Sequence, residues 1–164
     1  MDDLVFDMAK KEDISELIRL RIAYMTDDYG SVSDTELQAM KEQLPDYFER
    51  KLGKELVVFA ARSGNRLVAT VYLLITEKPA NPSLPNGLES EVLNVFTEEE
   101  YRGQGISSRL LKEMIAYAKE KHLCRIDLKA TDDGYKLYKR LGFEDRTQKY
   151  RDMRLKLSVT QIVS

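Results

Sequence analysis

Residues 91 to 107 read Glu-Val-Leu-Asn-Val-Phe-Thr-Glu-Glu-Glu-Tyr-Arg-Gly-Gln-Gly-Ile-Ser, an apolar strand that passes through a two-glycine loop into an amphipathic helix. Such a junction suits an anion. Glycines at 103 and 105 let successive backbone N–H groups turn inward with no side chain in the way, and the helix that follows adds the positive end of its dipole. A pyrophosphate matches that chemistry. On spacing alone an ordinary strand-to-helix turn matches equally, because glycine is common at such turns in any α/β protein. Two nucleotide patterns fail. No Gly-Lys-Ser/Thr follows, so the lysine of a Walker loop is missing. Gly103 and Gly105 would serve as the first two glycines of a dinucleotide fingerprint, but Ser108 takes the third place and the loop lies far from a first βαβ unit.

Other residues carry chemistry less openly. Asn94 is a polar side chain in an otherwise apolar strand, and since an unpaired buried amide is costly it should bond to substrate, water or backbone. Glu91 stands at the start of that strand. It either faces solvent or is partly buried, and burial would raise its pKa toward that of a useful base. Tyr138 lies beside Leu137 and Leu141, a spacing that by itself describes a core residue. Cys124, the single cysteine, excludes an intramolecular disulfide, suits a reducing compartment, and just ahead of an apolar strand reads as a buried structural thiol. The lone His122 follows Lys119 and Lys121 at the end of a helix, where cations complement the dipole, and no Cys/His cluster exists, so no metal is expected.

Arg102-x-x-Gly105-x-Ser107 resembles the acyl-CoA pyrophosphate loop of the GNAT superfamily of N-acetyltransferases, usually Arg/Gln-x-x-Gly-x-Gly/Ala. Ser107 stands where glycine or alanine is usual. It is small enough for phosphate to approach, and its hydroxyl can add a hydrogen bond. Residues 130 to 144, Ala-Thr-Asp-Asp-Gly-Tyr-Lys-Leu-Tyr-Lys-Arg-Leu-Gly-Phe-Glu, resemble the later GNAT motif in which a short tyrosine-bearing helix ends at Leu-Gly-Phe. Gly142 also has its own reason: a helix that stops after Leu141 needs a residue able to adopt the left-handed conformation.

The resemblance implies acetyl-CoA as donor and a primary amine as acceptor, joined by direct attack in a ternary complex. It implies that Arg102, Gly103, Gln104, Gly105, Ile106 and Ser107 hold the pyrophosphate, with backbone groups of Val95 and Thr97 along the pantetheine arm and Tyr135 at the edge of the cofactor site. Tyr138 matches the family tyrosine that protonates the CoA sulfur, with Tyr135 three residues earlier as its rival, and a phenol that stays protonated at neutral pH is suited to the task. Glu91 lies eleven residues before Arg102, where histone-acetylating members carry their general base, although many relatives use a water chain. The acceptor site is expected from the segment between the first two helices, about 27 to 34, and from 77 to 90 and 146 to 150. Asp28 and Asn94 are the candidate substrate contacts, and Asp27, Asp28, Glu89 and Glu91 favour a small cationic amine, with a protein or peptide amine beside it. A non-catalytic acyl-CoA-binding or sensing module is the alternative.

The composition fits. The 164 residues suit a single domain, and 43% hydrophobic residues provide a core. A formal net charge of −2 argues against nucleic acid or an anionic membrane surface as partner. Lys136, Lys139 and Arg140 read as a solvated helix face, with a CoA 3′-phosphate contact as the lesser reading. No stretch has the ~20 apolar residues of a membrane span and the N-terminus does not resemble a signal peptide, so a cytoplasmic location is expected. Monomer and homodimer both remain open.

These residues need elements to position them. A strand at 4–8 precedes a helix opened by an Asp13/Glu16 capping box, with Ile14, Leu17, Ile18, Ile22 and Met25 on one side and its end at 27–30. A second helix capped by Ser33 or Asp34 should break or kink at Pro45. Strands 56–61 and 67–75 flank the hairpin signal Ser63-Gly64-Asn65. Pro79, Pro82, Pro85 and Gly87 impose a surface loop. Strand 91–97, helix 105–122, strand 125–130 and helix 134–141 follow, then strands near 143–146 and 151–157, with 158–164 unassigned. The expected fold is α/β: one domain over 1–164, a mixed, mostly antiparallel sheet of about six to seven strands, GNAT-like, with helices on both faces.

Overall fold

The computed structural model describes residues 3–158. Five strands form one mixed sheet in sequence order: β1 (Val5–Met8), β2 (Leu56–Ser63), β3 (Arg66–Glu77), β4 (Leu88–Thr97) and β5 (Ile126–Asp127). Neighbours from β1 to β4 pair antiparallel, and β4 pairs parallel with β5. The connections dictate this. Ser63 pairs with Arg66, leaving Gly64 and Asn65 as a two-residue turn whose first position takes a φ of +62°. That arrangement follows the twist of the strands and demands glycine there. A parallel partner for β4 needs a long crossover, and α3 (Ile106–Glu120) supplies it.

Helices cover both faces, so the inner strands are buried on both sides. Along β2, Leu56, Val58 and Ala60 pack with Leu17 and Leu20 of α1 (Ile14–Tyr29) and Leu44 and Phe48 of α2 (Asp34–Lys51). Alternate residues Val57, Phe59 and Ala61 turn to the other face and pack on Ile106, Leu110, Leu111 and Met114 of α3. Leu137 and Tyr138 of α4 (Asp132–Arg140) join that second core from its edge. The alternation is the two-residue period of a pleated strand.

Several expectations are corrected. Six to seven mostly antiparallel strands become five strands in a mixed sheet: residues 143–146 and 151–157 form no strand, and β5 spans two residues instead of six. Asp13 does not cap α1. It accepts from the Lys10 N–H at 2.9 Å and from Arg62, while Glu16 accepts from the Leu67 N–H, so these acids tie the first helix to the sheet. The buried stripe of α1 is Leu17 and Leu20, with Tyr24 in contact below, and Ile22 and Met25 are only half-buried. Pro45 does not break α2. It sits on the exposed side, where water can serve the carbonyl four residues earlier that lost its partner. Ser33 is the cap, with Glu36 completing its box. Cys124 is exposed, its thiol donating to Asn86, because the turn after α3 carries it outward.

Candidate active site

The site begins where β4 and β5 part. They pair only at Ser90–Ile126 and Glu91–Asp127, so from Val92 onward β4 has a free edge on that side. A bulge lies at the same point: Tyr72 of β3 pairs with Asn94 and Leu73 with Val92, leaving Leu93 as an extra residue. Bulges bend a strand and increase its twist. The fork so opened is a cleft of about 560 Å³, walled by β4 from Val92 to Thr97 and by Leu128, Thr131 and α4, with Tyr24, Asp27 and Asp28 of α1 on a third side. Glu98 donates its N–H to Val68 of β3, so alternation turns the backbone groups of Val95 and Thr97 to the free edge.

Above the fork lies the glycine loop. Gly103 and Gly105 have φ of +77° and +76°, values that favour glycine, and Gly105 is the residue from which α3 starts. The N–H groups of the first helical turn have no acceptors within the helix. A Cβ added at either glycine would meet no other residue within 4 Å, so no neighbour crowds the loop on that side. Thr97, Ile106, Ser107 and Arg140 line this hollow of about 240 Å³ with the glycines. Two features fix the loop. The Thr97 and Ser107 hydroxyls share a hydrogen bond of 2.8 Å, and Arg102 donates to the Thr97 carbonyl at 2.8 Å while lying 3.6 Å from Asp27. The Ser107 hydroxyl, anticipated as a phosphate contact, is therefore engaged with Thr97. Gln104 is exposed in the turn.

Tyr138 projects from α4 into the fork and lines the cleft opposite Tyr24. Burial pushes its phenol above the ordinary tyrosine value, and Tyr24 adds to the rise. Phe143 meets the ring edge-on at 5.9 Å. Gly134 leaves it room: a Cβ there would stand 2.8 Å from the Tyr138 Cε2. Thr131, accepting from the Gly134 N–H, caps the helix that carries the ring. Tyr135 points elsewhere. Its hydroxyl donates to Asp145, and it lines neither the cleft nor the loop hollow.

On the opposite wall Asn94 is 2% exposed, and its partners differ from those anticipated. It donates to the Thr70 hydroxyl at 3.2 Å and accepts from Arg21 at 3.0 Å. Arg21 in turn packs against the rings of Tyr24 and Tyr72. Glu91 is half-buried at the base of the fork, the last β4 residue paired with β5, and does not itself line the cleft. Asp28 lines it from the last turn of α1, which extends to Tyr29 and so leaves a shorter connection than 27–34. Segments 77–90 and 146–150, expected beside the acceptor, contribute no residue to the cleft; Glu89 is spent on ion pairs with Lys78 and Arg125.

A forked β4/β5 pair beneath a left-handed glycine loop, with a tyrosine reaching in from the next helix, can seat a phosphorylated thioester and protonate its sulfur. The sequence profile described as the acetyltransferase (GNAT) family matches residues 16–143. The chain belongs to the GNAT acetyltransferase family. Among solved structures, a predicted acetyltransferase from Clostridium acetobutylicum, crystallised with acetyl-CoA, is 29% identical, with a TM-score of 0.80 over 93% of this chain and 96% of that one. A GCN5-related N-acetyltransferase from Ralstonia eutropha JMP134 is 24% identical, with a TM-score of 0.76 over 92% of this chain and 99% of the other. A ribosomal-protein-alanine N-acetyltransferase from Brucella melitensis shares the fold at 18% identity and a TM-score of 0.65, covering 93% and 100% of the two chains. No curated protein gives a significant sequence match.

Three residues of this GNAT site escaped the sequence reading. Arg21 left a trace, a charge inside the α1 stripe Leu17, Leu20, Tyr24, and Gly134 left another, a glycine one helical turn before Tyr138. Tyr24 left none, since its role depends on how elements are placed, whereas Arg140, read chiefly as part of a solvated helix face, lines the loop hollow. Among the described residues no group of His, Cys, Asp or Glu could hold a metal ion, and no helix is long and apolar enough to cross a membrane.

Proposed function

We propose that the protein is an acetyl-CoA-dependent N-acetyltransferase that moves the acetyl group to a primary amine by direct attack in a ternary complex. The observation that carries this is the half-buried Tyr138 in the β4/β5 fork directly beneath the open glycine loop. The residues present fit the donor: a positive-φ loop at a helix N-terminus for two phosphates, Arg140 beside it, and a free strand edge for an amide-bearing arm. Acetyl-CoA, when bound, supplies an activated acetyl thioester.

Each residue has a task. The N–H groups of 103–107 hold the pyrophosphate, and the free backbone groups of Val95 hydrogen-bond the pantetheine arm. Thr97 contributes less to the arm than the motif suggests, because its carbonyl is already taken by Arg102. The Tyr138 hydroxyl gives its proton to the sulfur as the C–S bond breaks. Glu91 receives the proton released by the amine through water, since its side chain is not on the cleft wall.

Two classes of acceptor amine fit. Asp28 at the mouth of the cleft supports a cationic amine, although Asp27 and Glu89, which favoured the same class, have cationic partners of their own. Arg21 supports an amine that also carries a carboxylate, as an amino acid or peptide does: among the described residues it makes no ion pair with an acid, and its partners Asn94 and Tyr24 line the cleft. An acetyl-CoA turnover screen, read by free thiol release, tests both with polyamines and aminoglycosides in one arm and amino acids and short peptides in the other. Amine-dependent release is expected. Tight acetyl-CoA binding with no release in either arm would overturn the enzyme in favour of a binding or sensing module.

A further inference from the structure

One buried polar atom lacks a partner. Among the described residues every buried side-chain nitrogen and oxygen is hydrogen-bonded except the Tyr72 hydroxyl. Tyr72 is 4% exposed, and burial pushes its phenol well above the ordinary tyrosine value, so the group is a neutral O–H donor with nothing to donate to. Folded proteins rarely leave such a group unsatisfied, because it has lost water and gained nothing in return.

Its surroundings supply a reason. Tyr72 on β3 pairs with Asn94 on β4, and the two side chains stand together on the face that α1 and α2 cover. The Asn94 oxygen accepts from Arg21 at 3.0 Å, and the Arg21 guanidinium carbon lies 6.0 Å from the Tyr72 ring centre and 5.9 Å from that of Tyr24. Among the described residues no acid pairs with this arginine. A guanidinium has five N–H donors, and Asn94 takes one of them. Arg21 is half-buried, so a ligand can reach it. An unpaired cation and an orphaned hydroxyl thus lie side by side, and both are donors. One acceptor with two oxygens and a negative charge satisfies them together, which is the chemistry of a carboxylate.

The position suits the acceptor. Arg21, Tyr24 and Asp28 follow at steps of three and four residues on one face of α1, and Tyr24, Asp28 and Asn94 line the cleft. Asp28, which favours a cationic acceptor, is exposed, so water and salt screen its charge more than that of Arg21. On the N-acetyltransferase reading above, we propose that Arg21 and the Tyr72 hydroxyl form a carboxylate subsite and that the acceptor is a free amino acid. A short molecule is required because Asn94, which holds Arg21, adjoins Val95 on the free edge of β4, leaving only a few bonds between carboxylate and reacting amine.

Two measurements test this. The first needs no chemistry: thermal melting of the full chain with CoA present, using a panel of N-acetyl amino acids against the matching N-acetyl amino acid amides. The acids should raise the melting temperature and the amides should not, and the difference should vanish in Arg21→Gln and in Tyr72→Phe. Tyr72→Phe keeps the ring against Phe48 and removes an unpaired hydroxyl, so without ligand it should melt no lower than the parent and carries the test even if Arg21→Gln folds poorly. No difference between acids and amides, a full response to acids in Tyr72→Phe, or a response to inorganic phosphate and not to acids would overturn the proposal. The second is thiol release from acetyl-CoA. Amino acids should show a KM about tenfold below that of their amides, and Tyr72→Phe should lose that preference. Release with polyamines and no preference for acids over amides would overturn the carboxylate subsite and leave the N-acetyltransferase standing. Stabilisation by acids with no release from any amine would support the subsite and remove the transferase.

Discussion

At the scale of single residues, Tyr138 is the most consequential side chain. Its phenol is raised above the usual value near 10 by burial, with Tyr24 opposite, so it stays protonated through the neutral range and can still give a proton to a thiolate. Tyr138→Phe should lower turnover by roughly 10²-fold and leave acetyl-CoA affinity near that of the parent. Steady-state rates beside calorimetry check this, and a fully active variant would remove the hydroxyl from the reaction. Gly134 allows a subtler test. Alanine is favoured over glycine in a helix by up to about 1 kcal/mol, but here its Cβ would press on the Tyr138 ring at 2.8 Å. Gly134→Ala should leave the melting temperature unchanged or raised while turnover falls about tenfold, because the ring must swing out. Unchanged turnover would show that the ring's position is not critical. The tyrosine was legible from its motif and the glycine was not, since the contact between them depends on a rotamer. Asn94 was half legible: its need for partners followed from burial, but Thr70 and Arg21 come from other elements.

At the scale of elements, the glycine loop and α3 act as one device. Gly105, with its positive φ, is the residue from which the helix starts, and the first residues of α3 line a hollow together with it. Gly105→Val puts a β-branched residue in a backbone region that side chains avoid. It should weaken acetyl-CoA binding tenfold or more, about 1.4 kcal/mol, as read by calorimetry on a folded variant. Full affinity would mean that the pyrophosphate lies elsewhere. This loop, α3 and the β2–β3 turn were readable because their signals are local: glycine conformations, a 3.6-residue period, a two-residue turn. The β4/β5 fork was not, since it depends on where pairing stops. Pro45 misled because a helix interior tolerates proline when the orphaned carbonyl faces water, and exposure is a tertiary property. Residues 151–157 have the pattern of a strand without a partner in their own chain, and pattern alone cannot supply the partner.

At the scale of the whole molecule, two cores share one sheet, and buried-edge ion pairs clamp the α1 side to it. Arg62 on β2 bonds Asp7 of β1 and Asp13 before α1, and Arg19 pairs with Glu16 and Glu98. The Arg62 guanidinium, ahead of the opposing effect of burial, holds the Asp13 carboxyl below its usual range, and Arg19 does the same for Glu16. A group whose folded pKa is depressed stabilises the fold above its unfolded value, about 4, and loses that contribution as pH falls through the folded value. Arg62→Gln should therefore cost about 1 kcal/mol at pH 7, with the deficit shrinking below pH ~4. Urea midpoints of parent and variant at pH 7 and pH 3 measure it, and a deficit that stays constant across that range would place the effect of Arg62 outside these carboxylates.

The glycine loop has a consequence for acyl selectivity. On the proposed chemistry a cradle of backbone N–H groups grips the pyrophosphate, which is identical in every CoA thioester, so the cradle is blind to whether the cargo is acetyl, propionyl or longer. On that reading discrimination falls to the base of the fork, which Val92, Leu93 and Leu128 line. One methylene there is worth only about 1–3 kcal/mol. On the proposed chemistry, then, the product spectrum is set jointly by these three side chains and by the relative abundance of acyl donors around the protein.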